Sequence, residues 1–286
     1  LTQFTPDIKK HFSEKVIYDI FKSDKRILLF LVTHKIFTFD EKTLNSIKFQ
    51  KFEAAKYEEY FQPEKLIFYG KPSNSTEEFE ANRRNGENHH HVCQLIRKDD
   101  IDEFIIFINQ TNYSIDLPIE KSIFETNPLF YLNNNLSVIQ YATFYGSIRI
   151  INYLRNNNIQ LNSSLWTYAI HSKNPEVIAL LEDNNIEPND DTYLSCLKES
   201  IKCHDFELSQ YFMEKILNIN ENDLECSITE TCIKNFNFHY LNTNGIYQSS
   251  YSLFNLIKYD YSNLSCLLLK TKDIDANFIY KILLIF

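Results

Sequence analysis

Two segments of this chain superimpose at an offset of 27 residues: Tyr141-Ala142 falls on Tyr168-Ala169, and Asn158-Ile159 on Asn185-Ile186. Each reads as a short helix, a tight turn, a second apolar helix and an Asn-Ile-acceptor-x-Asn loop, Asn158 to Asn162 and Asn185 to Asn189. Such a unit cannot bury its apolar faces alone. A repeated helix pair of this length therefore predicts an all-α solenoid.

The start of each second helix supplies a ruler, because its free N–H groups call for a side-chain acceptor at the N-cap. Aligned on the apolar pattern, Asp100, Ser147, Asn174, Asp205, Asn237 and Asp260 take that position. Glu103 completes a capping box after Asp100, and Pro175 follows Asn174 at the first helical position. The spacings are 47, 27, 31, 32 and 23. The first holds an insertion around Ser114 to Asn135, and the last marks a degenerate fifth repeat. Ile101, Phe104, Ile105 and Ile108 correspond to Ile148, Ile151 and Leu154, then to Val177, Ile178, Leu180 and Leu181. Leu208, Tyr211 and Phe212 continue the series, and Leu264, Leu267 and Leu268 close it. Small Ala142, Ala169 and Ser200 on the first helices let neighbours approach closely. Gly146 supplies a left-handed helix exit, and Trp166 is expected between repeats.

The run from Ser137 to Leu154 resembles the ankyrin pattern T-P-L-H-x-A-A-x-x-G-H-x-x-I-V-x-x-L, with Ser137, Ala142, Gly146, Ile150, Ile151 and Leu154 on its landmarks. Asn185-Ile-Glu-Pro-Asn and Asp273-Ile-Asp-Ala-Asn are similar to its G-A-D-x-N loop. No copy carries the T-P-L-H box, and Gly146 is the one turn glycine. Asp19 to Leu31, Tyr60-Phe-Gln-Pro-Glu and Tyr193 to His204 further resemble the ankyrin-associated domain family expanded in trichomonad-type protists. That resemblance implies an ankyrin-like helical array with a role in protein interaction, and it brings no assigned chemistry. Residues 1–70 are then a helical N-terminal region, 71–90 a linker, and 91–286 about six ankyrin-like repeats, the last truncated.

In the N-terminal region, Pro6 and Asp7 open one helix and Asp24 caps another, whose Leu28 to Val32 are apolar nearly all round. Further helices are predicted near Asp40 to Phe49 and Glu53 to Phe61, with Pro63 ending the run. Residues 1–68 are expected to pack as a unit against or near the first repeat. Leu1 is not an initiator Met and Phe286 ends an unfinished apolar run, so a fragment of a longer chain is expected.

Composition narrows function by exclusion. The 44% hydrophobic and 23% charged residues suit a folded protein. The net charge of −9 disfavours nucleic acid and anionic membranes. Neither apolar run, Ile27 to Val32 or Ile282 to Phe286, can span a bilayer. Six cysteines without a Cys-x-x-Cys pair fit free thiols in the cytoplasm. Four scattered glycines leave no phosphate loop, dinucleotide fingerprint or nucleophile elbow. His89-His-His-Val-Cys93 offers zinc-type ligands at His89, His91 and Cys93 but no fourth by spacing. A solvated linker end with Cys93 in the core fits it better. Cys203-His204 would pair badly, being adjacent on a helix end. No enzyme activity, cofactor or metal is expected, and the chain is expected to be monomeric.

A binding surface is predicted three and two positions before each cap, where ankyrin arrays line their concave face. The positions are Arg97 and Lys98, Phe144 and Tyr145, His171 and Ser172, Lys202 and Cys203, Lys234 and Asn235, and Ile257 and Lys258. Five of these twelve are Lys or Arg and none is acidic. They read either as a basic ridge with an aromatic centre or as cations complementing helix C-termini. The ridge would suit a protein partner presenting an acidic segment with an apolar anchor. The alternative is a structural or regulatory arm packing onto another domain of a longer chain.

Overall fold

The computed structural model describes residues 10–21, 24–38, 59–72, 75–190, 192–216, 219–243 and 250–271. Among these the protein is all-α, with 17 helices, no strand and one isolated bridge between Pro118 and Ser137. None of the described helices is long and apolar enough to cross a membrane. The chain divides into two compact units, 1–138 and 139–286. The start of the helix expected from Pro6–Asp7, the helix at Asp40 to Phe49, most of Glu53 to Phe61, the Asp273 loop and the final apolar run lie outside the described residues.

The first unit opens with α1 (Glu14–Phe21) and α2 (Lys25–Thr33), which pack together. Asp24 caps α2 by accepting from the Ile27 N–H at 2.9 Å. Ile17, Tyr18, Leu28, Leu31, Ile36 and Phe37 form a core with Tyr60, Phe61 and Phe124, and Phe79 and Ile123 pack against it. The described N-terminal helices are thus buried partly by residues of the insertion near Phe124. Lys25 is only 4% exposed. Its ammonium donates to the Ile123 carbonyl at 3.1 Å and lies over the Tyr60 and Tyr131 rings, which replace the water it loses.

Pro63 follows the end of a helical stretch at Tyr60, as expected, and also opens the next helix. It sits in the first turn of α3 (Gln62–Phe68), where a missing N–H is harmless. The stretch 71–90, expected as a linker, carries α4 (Glu77–Asn85) between a Thr76 cap and left-handed Gly86. Arg83 of α4 is 2% exposed and donates to Glu64 at 2.6 Å, with its guanidinium over the Tyr60 and Phe79 rings. Burial pushes the Tyr60 hydroxyl up to about 12, with Arg83 opposing. The helices α5 (His91–Arg97) and α6 (Ile101–Thr111) pack as a pair, and α7 (Pro128–Tyr131) lies in the insertion. Buried Glu125 accepts from the backbone N–H groups of Asn88 and Asn127, and burial raises its pKa against those bonds.

The second unit is a sequence of helix pairs: α8 (Val138–Phe144) and α9 (Ile148–Asn156), α10 (Leu165–Ser172) and α11 (Pro175–Asp183), then α12 (Leu194–Lys202) and α13 (Phe206–Lys215). The helices α14 (Glu221–Lys234) and α15 (Phe238–Thr243), and α16 (Ser250–Lys258) and α17 (Ser262–Thr271), follow. The first helices α10, α12, α14 and α16 pack successively on one another, and each packs on its own second helix. Ala142, Ala169 and Ser200 are buried at these positions. Ser200 and Ser209 share a hydrogen bond at 2.9 Å, satisfying two hydroxyls inside the α12–α13 contact. In the fourth of these pairs a long first helix, α14, is followed by a second described over Phe238–Thr243.

One turn recurs across both units. Asp100, Ser147, Asp205 and Asn237 each donate a backbone N–H to the carbonyl five residues earlier, Leu95, Ala142, Ser200 and Cys232, and the residue before each donates three back. That preceding residue is left-handed every time: Asp99, Gly146, His204 and Phe236. At Asn174 a hydroxyl enters the turn instead. Ser172 donates to the Ala169 carbonyl and accepts from the Asn174 N–H. The sixth turn corrects the expected register by one residue. Asp260 itself is left-handed, and Tyr261 N–H donates to Leu256, so Tyr261 holds the cap position. Asp260 has capping chemistry but also tolerates positive φ, and the helix register decides between the two. Side chains of Asp100, Asn174, Asp205 and Asn237 do cap, whereas Ser147 makes no side-chain cap bond. The repeated Asn-Ile pair also has a reason: Asn158 and Asn185 turn left-handed, and Ile159 and Ile186 tie back to Leu154 and Leu181.

Candidate protein-interaction surface

The positions before each turn sit at the ends of the first helices, where side chains leave the packed face. In the first unit, Lys98 is exposed, while Arg97 is held by Glu87 at 3.0 Å and by the Asn88 carbonyl at 2.8 Å. In the second unit, half-exposed Phe144 and Tyr145 meet edge-on at 5.1 Å between centroids, and Tyr145 leans on buried Tyr141. Phe144 stacks on the His171 imidazole at 5.4 Å with 20° between planes. Positions one repeat apart are therefore neighbours here.

The expected cationic character of this ridge needs correction. The twelve positions contain no acid, yet acids one turn back reach them. Glu199 binds His171 at 2.9 Å with one carboxylate oxygen and Lys202 at 2.7 Å with the other. Glu230 accepts from both Lys258 and Tyr259. The hydrogen bond from His171, then Lys202, holds Glu199 down to about 2 against the opposing effect of burial. Burial, which disfavours the His171 cation, is outweighed by its contacts with Cys203 and Glu199, and its pKa rises to about 9. The surface from Phe144 to Lys202 is thus an aromatic pair beside a compensated charge cluster. Lys234 is exposed further along.

The thiol–imidazole neighbour of Cys203 is not His204. His204 takes the left-handed turn position, and its Nε2 meets the Asn235 carbonyl at 3.0 Å. Cys203 Sγ instead lies 3.5 Å and 3.6 Å from the two ring nitrogens of His171. Adjacent sequence positions hid this pair, whereas the turn ruler contains it, since both residues stand within three positions of consecutive caps. The other cluster disperses: His89 bonds Ser122, His91 packs edge-on against Phe107, and Cys93 is buried. Trp166 is buried against Tyr193 and Phe212 and donates to the Ile186 carbonyl at 2.8 Å. Compared with family models, with curated proteins and with solved structures, the chain matches none.

Proposed function

We propose that this chain is a non-catalytic scaffold for protein–protein interaction, built from ankyrin-like repeats. The observation that carries the reading is the recurring turn, which presents equivalent side chains at the end of successive first helices. Phe144 and Tyr145 supply the apolar anchor site, since half-exposed aromatic pairs are efficient centres of binding energy. Lys202 and Lys258 supply charge selection. An acidic partner segment has to exchange with Glu199 and Glu230, which favours specificity over raw affinity. The six cysteines, none of them disulfide-bonded, fit a reducing cytoplasmic setting, and the scaffold acts as a monomer.

The test is a display selection of acidic peptides carrying one aromatic or aliphatic anchor against the full chain. Binders should weaken as salt rises and lose binding to a Phe144→Ala/Tyr145→Ala/Lys202→Glu variant. Full binding by that variant, checked as folded by circular dichroism, overturns the surface. The second reading, an arm packing onto another domain of a longer protein, is favoured by exposed Ile257, Leu267 and Leu269 on α16 and α17.

A further inference from the structure

The side chains of His171, Glu199 and Cys203 each offer a ligand atom, and these atoms lie within 4.8 Å of one another. Glu199 and Cys203 are four residues apart at the end of α12, so they share one face, and that face meets His171 at the end of α10. We infer that these three residues form a Zn2+ site that ties α10 to α12, with a fourth coordination position open to water.

The position of the sulfur argues against a thiol–imidazole proton relay. A thiol in line with one nitrogen's in-plane lone pair would stand much farther from the other nitrogen. Here Sγ is nearly equidistant, at 3.5 Å and 3.6 Å, so it lies over the ring and not on a proton path. A zinc ion on Nε2 would lie in the ring plane, so the Cys203 side chain has to swing off the imidazole face to reach it. Ligand atoms about 2.0–2.3 Å from a tetrahedral zinc stand roughly 3.3–3.7 Å from each other. The 2.9 Å contact between Nε2 and Glu199 also has to open, while all three ligand atoms already lie within 4.8 Å of one another.

The surroundings complete the arrangement. Lys202 holds the second oxygen of Glu199 at 2.7 Å, which aims the first at the site. Phe144 lies nearly parallel to the His171 ring and limits its rotation. Such outer partners orient ligands and tune affinity. A nitrogen–sulfur–carboxylate set selects a borderline metal such as zinc over the hard cations magnesium and calcium. Thiolate and carboxylate together neutralise the dication. All three residues are half-buried, so an ion has access. This inference stands apart from the scaffold reading and survives its failure.

The full chain, treated with chelator, is titrated with Co2+ and then Zn2+. One equivalent of Co2+ should produce a thiolate-to-cobalt band in the near ultraviolet and tetrahedral visible bands, both removed by Zn2+. Cys203→Ser should abolish the thiolate band, and His171→Gln and Glu199→Gln should weaken binding. Lys202→Met should lower Zn2+ affinity about 10–100-fold, while Cys226→Ser and Cys266→Ser leave it unchanged. Absence of the band in the native chain, or its survival in Cys203→Ser, overturns the site. A second readout needs no variant: Zn2+ should slow alkylation of Cys203, mapped by mass spectrometry, and unchanged labelling equally overturns the site.

Discussion

The two units are made of similar short helices but are held together over different distances along the chain. In residues 10–138, Lys25 bonds Ile123 across 98 positions, Thr126 bonds Gly86 across 40, and Asn88 bonds Glu120 across 32. Among the described residues of 139–271 the links reach the neighbouring helix pair: Asn174 to Gly146 across 28, Arg155 to Asn184 across 29, His204 to Asn235 across 31. A core that closes over long separations has to form together. A row of nearest-neighbour contacts lets damage stay local.

The sharpest break of that contrast is Glu64→Ala, which takes the nearer carboxylate from the buried Arg83 guanidinium and leaves Glu80 at 3.6 Å. It should cost about 3–5 kcal/mol, and hydrogen exchange should show α1, α2 and α4 losing protection together. Loss confined to α4 would mean the first unit is not one cooperative body. Leu181→Ala in the second unit removes a fully buried side chain at about 2–5 kcal/mol. Its effect should centre on α10 and α11 while α16 and α17 keep their protection. Equal loss from α8 to α17 would erase the distinction.

Smaller effects test the turns. Asp205→Ala removes a working cap and should cost about 1 kcal/mol in a urea melt. Asp260→Gly should instead be neutral or stabilising by up to about 1 kcal/mol, because it relieves a left-handed backbone. Destabilisation by Asp260→Gly equal to that of Asp205→Ala would restore Asp260 as the cap.

The smallest effect is a response to acid that differs in sign. Burial raises Glu125, so its folded form prefers the proton, and stability rises as pH falls through the raised value toward 4.5. The bond from Lys258, then that from Tyr259, lowers Glu230 against burial, so its contribution is present above 4.5 and fades as pH falls below it. Glu125→Gln should flatten the first trend in melts of the first unit, and Glu230→Gln the second. Matching slopes before and after substitution would contradict these assignments.

These distances also explain what the sequence made legible. The turn depends on about six consecutive residues, so periodicity and caps locate five of the six. Tyr261 escapes because it has no capping chemistry while Asp260 does. Pro63 was ambiguous for a similar reason, since proline suits a helix's first turn as well as its end. Nothing periodic connects Ile17 to Phe124, so the first core was invisible. At the surface, Phe144, His171, Lys202 and Lys258 were readable as positions. Their compensation by Glu199 and Glu230 was not, because those acids lie outside the counted positions and reach in from the preceding helical turn or helix.

The chain has a single Trp, and Trp166 is 3% exposed, wedged beside Tyr193 and Phe212 with its indole N–H tied to Ile186. Intrinsic fluorescence excited at the red edge is therefore an optical gauge of one junction, that between the pairs α10–α11 and α12–α13. It will shift when that junction opens and stay silent while either end of the row frays. A melt followed by emission and one followed by ellipticity should then trace different curves from the same sample.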